Sequence, residues 1–380
     1  MVSERARSVD SFIAMDVLER ANEHDDVIHL EVGEPDFDPP EAVVDAAVDS
    51  LRSGNAKYTA ARGKPELREA IAERYDRVYG VTVDPGRIVV TPGSSPGLLL
   101  ALATLVDAGD DVVLTDPHYA CYPNFVRLLD GTVKTVPLRA AEGFEPRVSD
   151  FERALERTTS AVLVNSPANP TGAVLDGETL ADLVTTVADA DATVVADEIY
   201  HGLSYDTTEH TVLEYTDDAF VLDGFSKRYG MTGWRLGWVV APPEYVDAVN
   251  RVAQNVLISA PSFVQDAGVA ALDTDEQWLA ANRETYRARR DRLLDIVDSW
   301  GLDPGYTPEG AYYVLADVSE LPGSALDVAD LFLEDAGVAV TPGVDFGDEA
   351  AEYVRLSYAT DESALDEAAR RVAHLLDRVT

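Results

Sequence analysis

Short apolar runs alternate with longer helical stretches through the middle of this chain, and that alternation constrains its fold more than any other feature. The runs are Arg87-Ile88-Val89-Val90, Asp111-Val112-Val113-Leu114, Thr132-Val133-Lys134-Thr135-Val136, Ala161-Val162-Leu163-Val164, Thr193-Val194-Val195-Ala196 and Phe220-Val221-Leu222. Valine dominates them, so they read as strands covered on both faces. Helical connections between consecutive strands allow them to lie parallel. The predicted fold is therefore α/β, a large unit with a mainly parallel sheet between helices. Leu236-Gly237-Trp238-Val239-Val240 is a further strand-like run.

The order changes on either side of this region. Residues 10–26 have apolar positions at helical spacing, Val27 to Val32 alternate like a short strand, and the prolines of Gly33-Glu34-Pro35-Asp36-Phe37-Asp38-Pro39-Pro40 demand a loop. Glu41 to Leu51 and the stretch from Pro65 to Tyr79 read as helices, and Leu98 to Leu105 as a buried one. Asp275 to Trp300 predicts a long charged helix. Beyond it come strands near 311–315, 338–340 and 353–358, and helices near 326–336 and 361–378, which make a smaller α+β unit. A chain of 380 residues suits about two domains. The expected division is a large domain over 42–280 and a discontinuous small domain from 1–41 with 281–380.

Composition narrows the function classes. Lys and Arg total 30 against 69 Asp and Glu, a net charge of −39. Nucleic-acid binding is disfavoured, because phosphate backbones need a basic footprint. The acidic residues are scattered rather than blocked and arginine far outnumbers lysine, which points to a salt-rich (halophilic) cytoplasm, where screening removes the self-repulsion. The near-apolar run Leu98 to Val106 is well short of the roughly 18 residues that cross a bilayer, so no membrane partner is expected. The start, Met1-Val2-Ser3-Glu4-Arg5, has no signal-peptide pattern behind it, and a single cysteine, Cys121, fits a reducing compartment. A cytoplasmic protein is expected.

One lysine stands apart from the other three. Lys57, Lys64 and Lys134 lie in polar, turn-like or strand-edge contexts, whereas Lys227 follows the run Phe220-Val221-Leu222 in a loop of small residues, eight positions before Arg235. A held, pKa-depressed lysine is a nucleophile for carbonyl compounds such as the aldehyde of pyridoxal phosphate, and an arginine fork suits a phosphate monoester. A solvated surface loop is the other reading of the same residues. Gly93-Ser94-Ser95-Pro96-Gly97 is a small-residue turn after a strand, a ready anion site. It is also a literal G-x-S-x-G nucleophile elbow with Ser95 as the nucleophile of a serine hydrolase, or a plain turn. Asp197 ends a strand, where ligands bind in such sheets, although such a residue is also a common helix cap.

The stretch Ser226-Lys227-Arg228-Tyr229-Gly230-Met231-Thr232-Gly233-Trp234-Arg235-Leu236-Gly237-Trp238 resembles the lysine signature of class I/II aminotransferases of pyridoxal-phosphate fold type I. Asn165-Ser166-Pro167-Ala168-Asn169-Pro170-Thr171-Gly172, Asp197-Glu198-Ile199-Tyr200 and Gly33-Glu34-Pro35-Asp36-Phe37 match further motifs in order, the last near the aspartate aminotransferase branch. The resemblance implies pyridoxal 5'-phosphate as cofactor and Lys227 as its covalent attachment and proton carrier. It puts Gly93, Ser94, Ser95, Ser226 and Arg235 at the phosphate, Tyr119 on the ring face and Asp197 at the ring nitrogen. Asn169 and Tyr200 fall at the ring's 3′-oxygen. Arg355 and Gly33, with Tyr119 and Asn169, would hold the substrate. Tyr58 would reach the phosphate of a neighbouring subunit, which implies a homodimer with shared sites. The expected activity moves an amino group between an L-amino acid and a 2-oxo acid, with glutamate and 2-oxoglutarate as one pair and aspartate or a neutral or aromatic amino acid as the other. A β-lyase could use the same lysine. No metal is expected.

Overall fold

A computed structural model describes residues 2–379. Its strands in chain order are β1 (Ile28–His29), β2 (Ile88–Thr91), β3 (Asp111–Asp116), β4 (Thr132–Pro137), β5 (Thr159–Asn165), β6 (Thr193–Asp197), β7 (Phe220–Gly224), β8 (Gly237–Val240), β9 (Tyr313–Asp317), β10 (Val338–Ala339), β11 (Thr341–Pro342) and β12 (Tyr353–Ser357). Seven form one sheet in the order β2-β8-β7-β6-β5-β3-β4. The pairings β3–β4, β3–β5, β5–β6 and β6–β7 are parallel, and β8 runs antiparallel between β2 and β7.

The sequence pattern explains why this sheet is buried on both faces. Val90, Val113, Val162, Val194 and Val221 enter one apolar cluster, while their neighbours Val89, Val112, Ala161, Val195 and Leu222 enter another on the opposite face. Side chains alternate across a strand, so a run of consecutive valines feeds two cores at once. Each fully buried Val or Leu contributes roughly 1.5–3 kcal/mol relative to exposure.

The C-terminal part builds the antiparallel sheet β11-β12-β9, and β1 pairs in parallel with β10. Ile28 and Leu30 join the apolar cluster of Leu293, Ile296, Val314, Val354 and Leu356, so the N-terminal strand shares the C-terminal core. Met1 and Thr380, the ends of the expected small domain, lie outside the described residues.

Three elements differ from expectation. The helix expected over 10–26 is Ile13–Ala21, preceded by a short helix Glu4–Arg7. The strand expected over 27–32 is only Ile28–His29, because the Glu31 carbonyl accepts from the Arg355 guanidinium (2.5 Å) and the Thr341 hydroxyl (3.2 Å) instead of a ladder. The buried helix begins at Ser94 rather than Leu98; Pro96 falls in its first turn, where a missing N–H costs nothing. Among the described residues, no helix is long and apolar enough to cross a membrane.

Candidate active site

Strand ends and the loops after them converge on one cavity of about 270 Å³. Gly33, Ser94, Ser95, Tyr119, Asn169, Asp197, Tyr200, Ser226, Lys227, Arg235 and Arg355 all line it. β6 delivers Asp197, the loop after β7 delivers Lys227, and β12 delivers Arg355.

Lys227 keeps some surface toward the cavity, and its Nζ donates to the Gly33 carbonyl at 2.6 Å. The Tyr200 and Tyr312 rings lie 5.7 and 5.8 Å from the amine. Burial lowers its pKa to about 8; Glu34 and Asp197 oppose the shift, while Arg355 and Arg235 add to it. An amine so placed is substantially neutral near pH 8, as a nucleophile must be.

Asp197 is buried, and its pKa is pushed up to about 6, first by burial. The Tyr122 hydroxyl donates to its Oδ2 at 2.7 Å and the Ile199 amide to its Oδ1 at 3.2 Å, and both favour the carboxylate. Such a group accepts a cationic partner readily, because pairing offsets the cost of its burial.

Arg355 is sandwiched between the Tyr313 ring (4.4 Å) and the Phe346 ring (4.7 Å). Its Nη1 donates to Asn169 Oδ1 at 2.9 Å, while its buried Nε has no partner among the described residues. A pinned guanidinium with a donor left over suits a planar carboxylate. Tyr200 and Tyr313 share a hydroxyl–hydroxyl bond of 2.8 Å.

At the other end of the cavity, the helix Ser94–Leu105 points its first turn inward. Gly93 precedes it with φ 100°, and a Cβ there would come within 2.4 Å of Arg235 Nη2. Arg235 itself holds φ 55°, a left-handed conformation that a non-glycine residue adopts only when its surroundings impose it. The helix N-terminus, two serine hydroxyls and this guanidinium together make an anion cup.

The family model described as "Aminotransferase class I and II" matches residues 25–372. The chain belongs to the class I and II aminotransferases. It is 39% identical over 365 residues to the aspartate/prephenate aminotransferase of Thermus thermophilus, covering 93% of this chain and 92% of that one. It is 37% identical over 376 residues to the valine–pyruvate aminotransferase of Mycobacterium tuberculosis, covering 97% of each. The structure of Thermus thermophilus aspartate aminotransferase with maleate superposes with a TM-score of 0.95 at 37% identity, covering 99% of each chain. These likenesses make this protein a transaminase near the aspartate aminotransferase branch.

Two expected site residues of this aminotransferase lie off the cavity lining. Gly93 sits just behind the cup, and Tyr58 is 84% exposed on its own chain. Ser95 does line the cavity, but no histidine does among the described residues, so the hydrolase reading has no base. His118 donates to or accepts from nothing catalytic; its Nδ1 faces the Tyr119 carbonyl at 3.2 Å, and burial lowers its pKa to about 4. The sequence reading assigned no role to Tyr122, Tyr313, Thr341 or Glu31. Tyr122 was the most accessible of these, since it falls in the aromatic segment that follows β3.

Proposed function

We propose that this aminotransferase uses pyridoxal 5'-phosphate in this cavity, and that its sites are completed in a homodimer in a salt-rich cytoplasm. The observation that carries the cofactor reading is the spacing of three unlike groups around one cavity. They are a neutral-leaning lysine amine, a buried carboxylate in want of a cation and an anion cup. When bound, pyridoxal phosphate supplies an amine-capturing aldehyde and an electron-withdrawing ring. Ser94, Ser95, Ser226 and Arg235 would hold its phosphate, Tyr119 its ring face, Asp197 its ring N–H, and Asn169 and Tyr200 its 3′-oxygen.

The residues then divide the work. Lys227 Nζ would be the point of covalent attachment for the cofactor's aldehyde. Lys227 Nζ would also be the group that holds and moves the substrate's α-proton, being the amine that lines the cavity. Asp197 would pair with the ring N–H and favour its protonated form. Arg355 and the Gly33 backbone orient the α-carboxylate. The tyrosines around Lys227 exclude water. Tyr58, exposed on its own chain, would reach a partner's phosphate. We propose a large cofactor-binding domain over 42–280 and a discontinuous small domain from 1–41 with 281–380.

The test is the visible absorbance of cofactor-loaded protein titrated with single amino acids. Loss of the yellow band with release of the matching 2-oxo acid is expected; release of pyruvate and ammonia would instead mark a lyase. Arg355→Ala should raise the half-saturating amino-acid concentration by about 10²-fold, the scale of a bidentate charged contact. The variant's yellow band should survive, and loss of that band would contradict the substrate-side role of Arg355.

Salt dependence tests the cellular setting. The net charge of −39 makes the folded surface self-repelling. The ion pairs Arg20–Asp330 and Arg292–Asp366 are largely exposed, and such pairs contribute only about 0–1 kcal/mol each. Molar salt shortens the screening length to ~3 Å. The unfolding midpoint should therefore fall steeply between molar and 0.1 M salt in thermal melts. A midpoint independent of salt would refute the halophilic reading.

A further inference from the structure

Lys227 and Arg228 are neighbours whose side chains leave the loop after β7 for different parts of the molecule. Lys227 reaches the Gly33 carbonyl at the cavity, whereas Arg228 is buried against the residues that follow β6. The Arg228 Nε donates to the His201 carbonyl at 2.5 Å, and its Nη2 lies 3.2 Å from Asp223 Oδ2. Arg74, from the helix Pro65–Tyr79, meets the same carboxylate oxygen at 3.5 Å.

The turn that Arg228 grips carries two expected cofactor contacts, Asp197 at its start and Tyr200 beside His201. Other contacts pin that turn. Glu198 Oε1 accepts from the Thr211 hydroxyl at 2.9 Å and the Val212 amide at 3.0 Å, and the Gly202 amide donates to the Glu209 carboxylate at 2.7 Å. His201 Nδ1 meets the Tyr79 hydroxyl at 2.6 Å. Gly202 holds φ 90°, and a Cβ there would come within 2.5 Å of Arg228 Nε. The backbone at 202 thus leaves room for the arginine stem, as only glycine does at low cost.

The lysine loop has less support of its own. The Phe225 amide donates to the Leu236 carbonyl at 3.1 Å and the Tyr229 amide to the Phe225 carbonyl at 3.3 Å, which leaves the backbone between them to be placed by side chains. Stability alone is a poor reason to keep Arg228 there. Its buried Nη1 has no partner among the described residues, and a buried charge with an unpaired donor is costly beside an apolar residue of similar size.

Resting on the reading of Lys227 as the reactive amine, we infer that Arg228 is a positioning residue: through His201 and Asp223 it ties the lysine loop to the turn that carries Asp197 and Tyr200. The tie sets how deeply the amine sits beside the Tyr200 ring, 5.7 Å away. Depth matters because burial is the main cause of the low lysine pKa, with Glu34, Asp197, Arg235 and Arg355 the charges that face it. A loosened loop lets the amine reach water and regain its proton affinity.

Gly202→Ala tests the tie with every charge kept, because the added methyl group pushes on Arg228 Nε; Arg228→Met removes the tie outright. The full chain, freed of cofactor and kept in molar salt, is labelled with trace acetic anhydride across a pH series. Peptide mass spectrometry reads Lys227 against the exposed Lys57 as internal reference. The parent's midpoint should lie near pH 8 and rise by at least about half a pH unit in both variants. A folded Gly202→Ala protein with the parent's midpoint would overturn the inference, even if it melts lower, since that is what a purely structural role predicts. If that variant does not fold, an unmoved midpoint in Arg228→Met overturns it equally. A parent midpoint already at the ordinary 10.5 would sink the reactive-amine reading together with this inference, whereas a low midpoint that neither variant moves sinks this inference alone.

Discussion

Lys227→Ala should retain its fold and bind pyridoxal phosphate without fixing it, and transamination should fall by at least the 10²–10⁴-fold that a positioned proton carrier supplies. The expectation follows from the position of the amine. Among the described residues Lys227 is the only lysine lining the cavity, and the carbonyl partner of its Nζ belongs to Gly33, in the loop that would receive the substrate carboxylate. No second amine can take over either attachment or proton transfer. The fold should survive, because truncation removes an amine whose burial disfavours its charged form. Folding holds the lysine pKa near 8, below its ordinary 10.5, so the unfolded chain binds the extra proton between those values, and the cost to the fold grows as pH falls from 10.5 and is fully present below about pH 8. Borohydride reduction followed by peptide mass spectrometry checks the attachment. Cofactor fixed to the Ala variant, at any other residue, would refute the assignment. The same pKa sets the pH profile of capture in the unsubstituted protein: the rate of band formation should rise about tenfold per pH unit up to about 8 and level off above it.

The division between what the sequence disclosed and what it concealed follows sequence distance. The βα alternation is local, so the strands of the large sheet and the buried helices were legible, and β2 through β8 fall within a residue or two of expectation. The loops that carry Lys227 and Asn169, and the strand end that carries Asp197, were legible because each belongs to a contiguous motif. What supports those residues is not contiguous. Tyr122 reaches Asp197 across 75 positions and Arg355 reaches Asn169 across 186, so neither pairing leaves a local pattern. Glu31 looked like one more polar position in a short alternating strand. Its carbonyl is diverted to Arg355 and its side chain is wholly buried beside His29, and only the assembled core reveals either. A further buried group was equally hidden. Asp223 ends up between Arg228 at 3.2 Å and Arg74 at 3.5 Å, anchoring the residue next to Lys227 through charges that come from a distant helix.

Asp197→Asn should separate stability from function in the opposite direction to most active-site damage. The side chain keeps its size and an oxygen for the Tyr122 hydroxyl, so the local geometry has reason to persist. What disappears is the charge. In the cofactor-free protein the folded carboxyl has a pKa of about 6 against an ordinary value of 3.8, so folding favours its protonated form. The sign is that of a raised acid: its contribution is fully present below about pH 4 and is lost as pH rises to about 6. At pH 7 the native protein therefore carries the cost of a buried carboxylate, roughly 2–3 kcal/mol from a shift of this size, and asparagine removes it. Cofactor-free Asp197→Asn should melt higher than the parent at pH 7 and show no such gain at pH 4. Adding pyridoxal phosphate should reverse the order, because only the carboxylate gains a cationic partner. Asparagine cannot hold the ring nitrogen protonated, so amino-acid turnover should fall about 10²–10³-fold, the scale of losing one preorganised electrostatic contact. A cofactor analogue methylated at the ring nitrogen, and so permanently cationic, should restore part of that rate in the variant alone. A variant as active as the parent with the ordinary cofactor would show that the buried carboxylate serves the fold rather than the ring. The position of Asp197 argues against that outcome, since a carboxylate kept only for stability would not be held where it costs stability at neutral pH.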